Sequence, residues 1–201
     1  MVAFDVASVE SLALRVAIHP AWGWHHCARV ESLANRIAKD EGLKVDSDLL
    51  HVAALLHDFG TYPQYGKANV DHADSSVEFA EGFLAKAGMP ADRVDTVLAV
   101  IRGHMFYAKP DKNVPEAVAF HDADALDFLG FVGITRIYAV VEKDDWAKDM
   151  AGALATIKEF RTGLPPSLLT KAAREIAATR IAEMDVFVSA LESETDGGRH
   201  L

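Results

Sequence analysis

The chain has 201 residues, half of them hydrophobic and a quarter charged, with a formal net charge of −10. That length suits one domain, and the hydrophobic fraction supports a core and excludes a disordered chain. The acidity argues against nucleic-acid polymers and anionic membranes as partners, whereas a small anionic ligand stays compatible because a metal ion or a few local cations invert the field around a site.

Cys27 is the only cysteine, so no intrachain disulfide forms, and a reducing, cytoplasmic compartment is expected. The opening MVAFDVASVE has neither a basic n-region nor a long apolar h-region. No run of about 18 apolar residues without charge occurs, so no transmembrane helix is expected.

Apolar residues recur with a period near 3.6 almost throughout, and no alternating strand pattern persists, which predicts an all-α chain. Ser8 to Ile18 reads as a first helix and Trp24 to about Glu41 as a second, with Gly42 as its stop. Ser47 to Asp58 follows, ended by Gly60. Asp71 to Ala87 and Ala91 to about Met105 are the next two. Pro115 opens a long helix to about Lys143, proline being suited to a first turn. Asp145 to Arg161 is another, and Ser167 caps a last helix to about Glu194, leaving TDGGRHL as a frayed tail. There is no internal repeat or long linker, so residues 1–201 read as one domain.

The third predicted helix, DLLHVAALLHD, is apolar almost all round, as a buried helix is. It nevertheless ends in His57 and Asp58, and a buried carboxylate requires a partner or a metal. His26 lies on the apolar stripe at the start of the second helix, His72 at the start of the fourth and His104 at the end of the fifth. Short connections favour antiparallel neighbours, so these ends fall together, and Asp124 can join them from the sixth helix. His121 shares a face with Asp124, and Asp122 and Asp127 compete for the same role. Such a set suits a divalent ion: imidazole for Mn, Fe, Co, Ni or Zn, carboxylate for harder ions such as Mg. Tyr62, Tyr65 and Lys67 in loop 59–70 and Tyr107, Lys109 and Lys112 in loop 105–114 fall at that end and suit a phosphorylated substrate, and Arg29 and Arg102 are further candidates because guanidinium pairs bidentately with phosphate.

With these motifs in place, HCARV (26–30), AALLHDFG (53–60), HADSSVEFAEGFL (72–84), VLAVIRGH (97–104) and DADALDFLGFVGITR (122–136) together resemble the HD-domain superfamily of metal-dependent phosphohydrolases. The resemblance covers about 22–140. The helices over 141–195 look like the closing segment of a small stand-alone bacterial branch that resembles nucleotide pyrophosphohydrolases. It implies an HD-type helical bundle with a metal site at one end, and His26, His57, Asp58 and Asp124 as ligands. His72 and His104 match positions that bind a second metal or the substrate in some branches. Branches with two metals often carry paired histidines where this chain has His104-Met105, so the ion count stays open. Thr61 stands where cyclic dinucleotide phosphodiesterases carry lysine, which disfavours that activity.

The implied reaction is hydrolysis of a phosphate ester or phosphoanhydride, a nucleotide or another small phosphorylated metabolite, by a metal-bound water. Asp58 would be ligand and proton acceptor, His72 or His104 a proton donor, and Arg29, Lys67, Tyr107 and Lys109 would hold the substrate. A di-iron oxygenase using His26, His57, Asp58, His72, His104 and Asp124 is the alternative within the superfamily, and a metal-stabilised, non-catalytic binding module is the other. The oligomeric state, a homodimer included, is left open.

Overall fold

Several helix starts in this chain are set by short polar side chains. In the computed structural model, which describes residues 4–144 and 146–201, α1 (Val6–Val16) follows Asp5, whose carboxylate accepts from the Ala7 N–H. Asp46 accepts the Asp48 and Leu49 amides of α3 (Ser47–Leu56), and Asp71 accepts the Ala73 amide of α4 (His72–Lys86). Each bond satisfies a donor that has no partner inside its helix. α2 (Trp24–Glu41) ends at Gly42, whose φ of 66° suits a residue without Cβ. α5 is Ala91–Gly103 and α6 is Pro115–Leu126. Among the described residues every regular element is helical, and no helix is long and apolar enough to cross a membrane.

The described chain forms two compact units, one ending at Asp124 and the other running from Ala125 to Leu201. In the first, α3 is the central element. It packs against α1, α2 and α5, and buries Leu49, Leu50 and every residue from Val52 to Leu56. Burying a leucine such as Leu50 or Leu56 contributes about 1.5–3 kcal/mol, enough to fix the rotation of α3 and hence where the residues after it point. Glu116 on α6 accepts the Asp46 N–H at 2.7 Å, tying the start of α6 to the start of α3.

The second unit holds α7 (Gly130–Ala139), α8 (Met150–Gly163) and α9 (Lys171–Glu194), with α7 packed on α8 and α9. The Arg136 guanidinium is buried against the Asp127 carboxylate at 3.0 Å and lies 3.8 Å from the Phe128 ring centroid.

Several boundaries differ from the sequence reading. The long sixth helix is two helices: α6 stops at Leu126, Leu129 is extended, and Gly130 has a φ of 74°. A Cβ on Gly133 would lie 2.1 Å from the Phe128 carbonyl oxygen, so the turn closes only on glycine. α1 starts and ends two residues earlier than expected, and α5 ends at Gly103 rather than Met105. α8 begins at Met150, capped by Asp149; the expected start at Asp145 lies outside the described residues. Ser167 does not cap the last helix, since its hydroxyl donates back to the Leu164 carbonyl; the cap is Thr170, which accepts from Ala173.

Candidate metal centre

The third helix gives up its regular geometry one residue before the carboxylate. His57 keeps helical angles as the C-cap of α3, whereas Asp58 turns to φ −99°, ψ 10° and enters a 3-10 turn over Phe59–Thr61. The Asp58 carbonyl accepts from the Thr61 amide and hydroxyl, closing that turn. Gly60 is not the helix terminator expected from the sequence. Its N–H donates to the buried Ser76 hydroxyl at 2.8 Å, and a Cβ there would stand 2.1 Å from the His72 carbonyl oxygen. The missing side chain lets the turn dock on the first turn of α4 and brings Asp58 beside His72.

Four helix ends and the last turn of α6 supply the donors. His26 Nε2 lies 3.1 Å from His57 Nε2, 3.4 Å from Asp58 Oδ2 and 3.3 Å from Asp124 Oδ1. His57 Nε2 lies 3.1 Å from Asp58 Oδ2 and 3.9 Å from Asp124 Oδ1. The other oxygen of Asp58 lies 3.6 Å from His72 Nε2 and 3.7 Å from His104 Nε2, and those two nitrogens are 3.3 Å apart. Asp58 is thus shared by two donor groups, His26–His57–Asp58 and Asp58–His72–His104, each of which could hold a metal ion.

The donor chemistry fits such an ion. Ligands about 2.0–2.2 Å from one ion, at angles of about 90–110°, are separated by about 3–3.6 Å, the range most of these pairs occupy. The Nδ1–H groups of His57 and His104 donate to the carbonyls of Ala54 (2.8 Å) and Ile101 (2.6 Å). A carbonyl only accepts, so each ring carries a proton on Nδ1 and turns Nε2 into the cluster, the atom through which a ligating histidine so held would bind.

Electrostatics support the assignment. Burial opposes ionisation of Asp58 most strongly, yet His57 and His26 override it and hold the carboxyl well below its usual range. Asp124 behaves the same way, with burial overcome chiefly by the His26 contact. His104 is pushed down to about 4, first by burial and then by His57, so it is neutral near pH 7. Exposure is uneven: the side chains of His26, His57 and His104 are closed off, whereas His72 is 24% exposed. The cluster therefore meets water on its His72 side.

The remaining candidates are more scattered. Lys67 pairs with Glu78, and the Tyr107 hydroxyl donates to Asp71 at 2.6 Å. Lys109 is exposed and Arg29 half-buried. His121 is buried and donates from Nδ1 to the Gly103 carbonyl, bracing the backbone beside His104. Asp127 is engaged by Arg136, which leaves it a structural partner, while Asp122 is fully buried on α6. The sequence reading took Asp71 only as a helix start and missed its bond to Tyr107; nothing local announces a contact between residues 36 apart.

A cluster of histidines and carboxylates at the ends of packed helices defines a class of helical proteins built to hold metal. The chain belongs to the HD domain family, whose model matches residues 23–129. The Bacillus subtilis protein YpgQ, itself uncharacterized, is 31% identical over 181 residues, covering 87% of this chain and 84% of that protein. Its crystal structure superposes with a TM-score of 0.66 at 25% identity over 96% of each chain. A predicted HD superfamily hydrolase from an uncultured Thermotogales bacterium gives 0.65 at 26% identity over 94% of this chain and 92% of its own. YpgQ has also been solved in complex with ADP; that structure matches at 0.64, with 24% identity over 94% of this chain and 99% of the other.

Proposed function

We propose that this chain is a metal-dependent phosphohydrolase that cleaves a phosphate ester or phosphoanhydride of a small metabolite, foremost a nucleotide. The observation that carries the reading is Asp58, one carboxylate facing a donor group through each of its oxygens. The complex of the relative YpgQ with ADP supports a phosphorylated ligand.

His26, His57, Asp58 and Asp124 are the ligands of a divalent ion, and His72 and His104 complete a place for a second. An ion of this kind acts as a Lewis acid toward a phosphoryl oxygen and acidifies coordinated water. His104 is a poor proton donor, because its Nδ1–H is held by Ile101 and its ring is neutral near pH 7. With a single ion bound, His72, the most exposed histidine of the cluster, is the residue assigned to protonate the leaving oxygen; with a second ion bound its Nε2 is a ligand and has no proton to give. Arg29 and Lys109 are the cations assigned to the phosphates. Lys67 and Tyr107 take part only if the substrate draws them from Glu78 and Asp71. A cytoplasmic enzyme fits the single cysteine, Cys27.

The test is hydrolysis of nucleotides and generic phosphate esters by purified protein loaded with Mn, Co, Ni or Mg. Turnover with at least one ion, lost in Asp58→Ala, is expected. No turnover with any ion refutes the activity, and an Asp58→Ala variant as active as wild type refutes the site. A di-iron oxygenase would use the same six donors; an iron-dependent optical band in native protein favours it, and a single colourless metal opposes it.

A further inference from the structure

The histidines of the cluster are oriented in two different ways. His57 and His104 sit at the C-terminal ends of α3 and α5, where each Nδ1–H reaches the carbonyl three residues back, Ala54 and Ile101. His72 cannot do this. It is the first residue of α4, so no helical carbonyl lies three residues behind it. What stands there instead is the carboxylate of Asp71. Its Oδ1 accepts the Ala73 amide at 2.7 Å and lies 3.7 Å from His72 Nδ1. Its Oδ2 accepts the Tyr107 hydroxyl at 2.6 Å. Tyr107 belongs to the loop that leaves α5 just after His104, so the Tyr107–Asp71 bond joins the two chain segments carrying His72 and His104, whose Nε2 atoms are 3.3 Å apart.

We infer that Asp71 is a positioning residue: its carboxylate, steadied by Tyr107, turns the His72 ring so that Nε2 faces Asp58 and His104. At 3.7 Å the carboxylate is a charge partner of Nδ1 rather than a hydrogen-bond acceptor, and it stands at a helix start in the place that backbone carbonyls take at the two helix ends. The inference rests on the reading of Asp58, His72 and His104 as a place for an ion. It assigns Tyr107 a different role from substrate contact, since its hydroxyl is committed to Asp71. A carboxylate behind a ligating histidine fixes ring orientation and raises basicity, and losing one weakens metal binding by about 10–100-fold.

The experiment is Mn2+ titration of the full chain by calorimetry, with thermal melting of the metal-free protein alongside. Asp71→Asn keeps a good helix cap, Asp71→Ser keeps a hydroxyl acceptor for the Ala73 amide, and Tyr107→Phe removes only the brace. Asp71→Asn and Asp71→Ser are expected to weaken the lower-affinity Mn2+ event by about 10–100-fold while metal-free melting stays near wild type. Tyr107→Phe gives a smaller loss of the same event, and His72→Ala abolishes it. If His72→Ala weakens Mn2+ binding and neither Asp71 variant does, Asp71 is only a helix cap and the inference is overturned. If His72→Ala leaves every Mn2+ event unchanged, the reading of His72 as a ligand falls and the inference falls with it. A loss confined to variants whose metal-free melting also collapses assigns Asp71 to stability and overturns the inference too.

Discussion

Replacing Gly60 with alanine tests how the site is assembled. The new Cβ would stand 2.1 Å from the His72 carbonyl oxygen and 2.8 Å from Ser75 Cβ. Neither neighbour is the end of a flexible side chain, so the 3-10 turn or the first turn of α4 must move by about 1 Å. Overpacking of this kind costs about 1–3 kcal/mol. The Gly60 N–H bond to Ser76, 2.8 Å long, is strained or lost by the same motion, at about 1 kcal/mol more. The expected destabilisation is therefore about 2–4 kcal/mol. The same displacement separates Asp58 from His72, and a misplacement of about 1 Å lowers turnover by about 100-fold. Urea denaturation gives the first quantity, and Mn2+ titration with phosphatase rates gives the second. Gly82→Ala is the control, because its Cβ meets nothing within 4 Å inside α4 and should stabilise by about 0.5–1 kcal/mol. A Gly60→Ala protein with wild-type stability and wild-type Mn2+ affinity would refute the docking argument.

Chelation and reloading supply a second prediction: metal-free protein melts lower, and Mn2+ at about 100 times its dissociation constant restores about 2.7 kcal/mol, read by calorimetric scanning. Arg136→Met should cost about 3–5 kcal/mol, because it strips the guanidinium from the fully buried Asp127; a urea midpoint within error of wild type would contradict it. His51 bridges Glu31 at 2.8 Å and Glu10 at 3.0 Å, and the Glu31 bond is the main reason its pKa is raised, against the effect of burial. A raised folded value means the stabilisation is complete below the unfolded histidine value of about 6.5 and lost as pH rises through the folded one. The stability gap between wild type and His51→Gln should then shrink as pH rises above the unfolded histidine value of about 6.5. These partners are partly exposed, so the whole gap is at most about 1 kcal/mol. A gap that widens with pH would show that His51 binds both carboxylates through its neutral form.

Much of the first unit was legible because its signals are local and agree with one another. α2 is bounded as expected, Trp24 to Glu41, since the apolar stripe and a left-handed Gly42 both mark it. The meeting of His26, His57, Asp58, His72 and His104 follows from helix direction alone, and of the aspartates on and just after α6 Asp124 stands 3.3 Å from His26 whereas Asp127 pairs with Arg136. The break between α6 and α7 was not legible. Apolar periodicity runs on through Phe128 and Leu129, and the turn depends on space at Gly133 that only the folded backbone defines. The pairing of Lys67 with Glu78 and of Tyr107 with Asp71 was hidden for the same reason: a loop residue's composition does not reveal its partner.

The placement of the histidines has a mechanical consequence. His26 and His57 are 31 residues apart in the chain, and His72 and His104 are 32 apart. An ion gripped by either pair closes a loop of that size, and a covalent clip closing such a loop restrains the unfolded chain by about 3–4 kcal/mol. A chain with one cysteine has no disulfide to do this. Two such clips sharing Asp58 would fasten α2 to α3 and α4 to α5 at a single knot, so that releasing the ions and loosening the helix ends become one event.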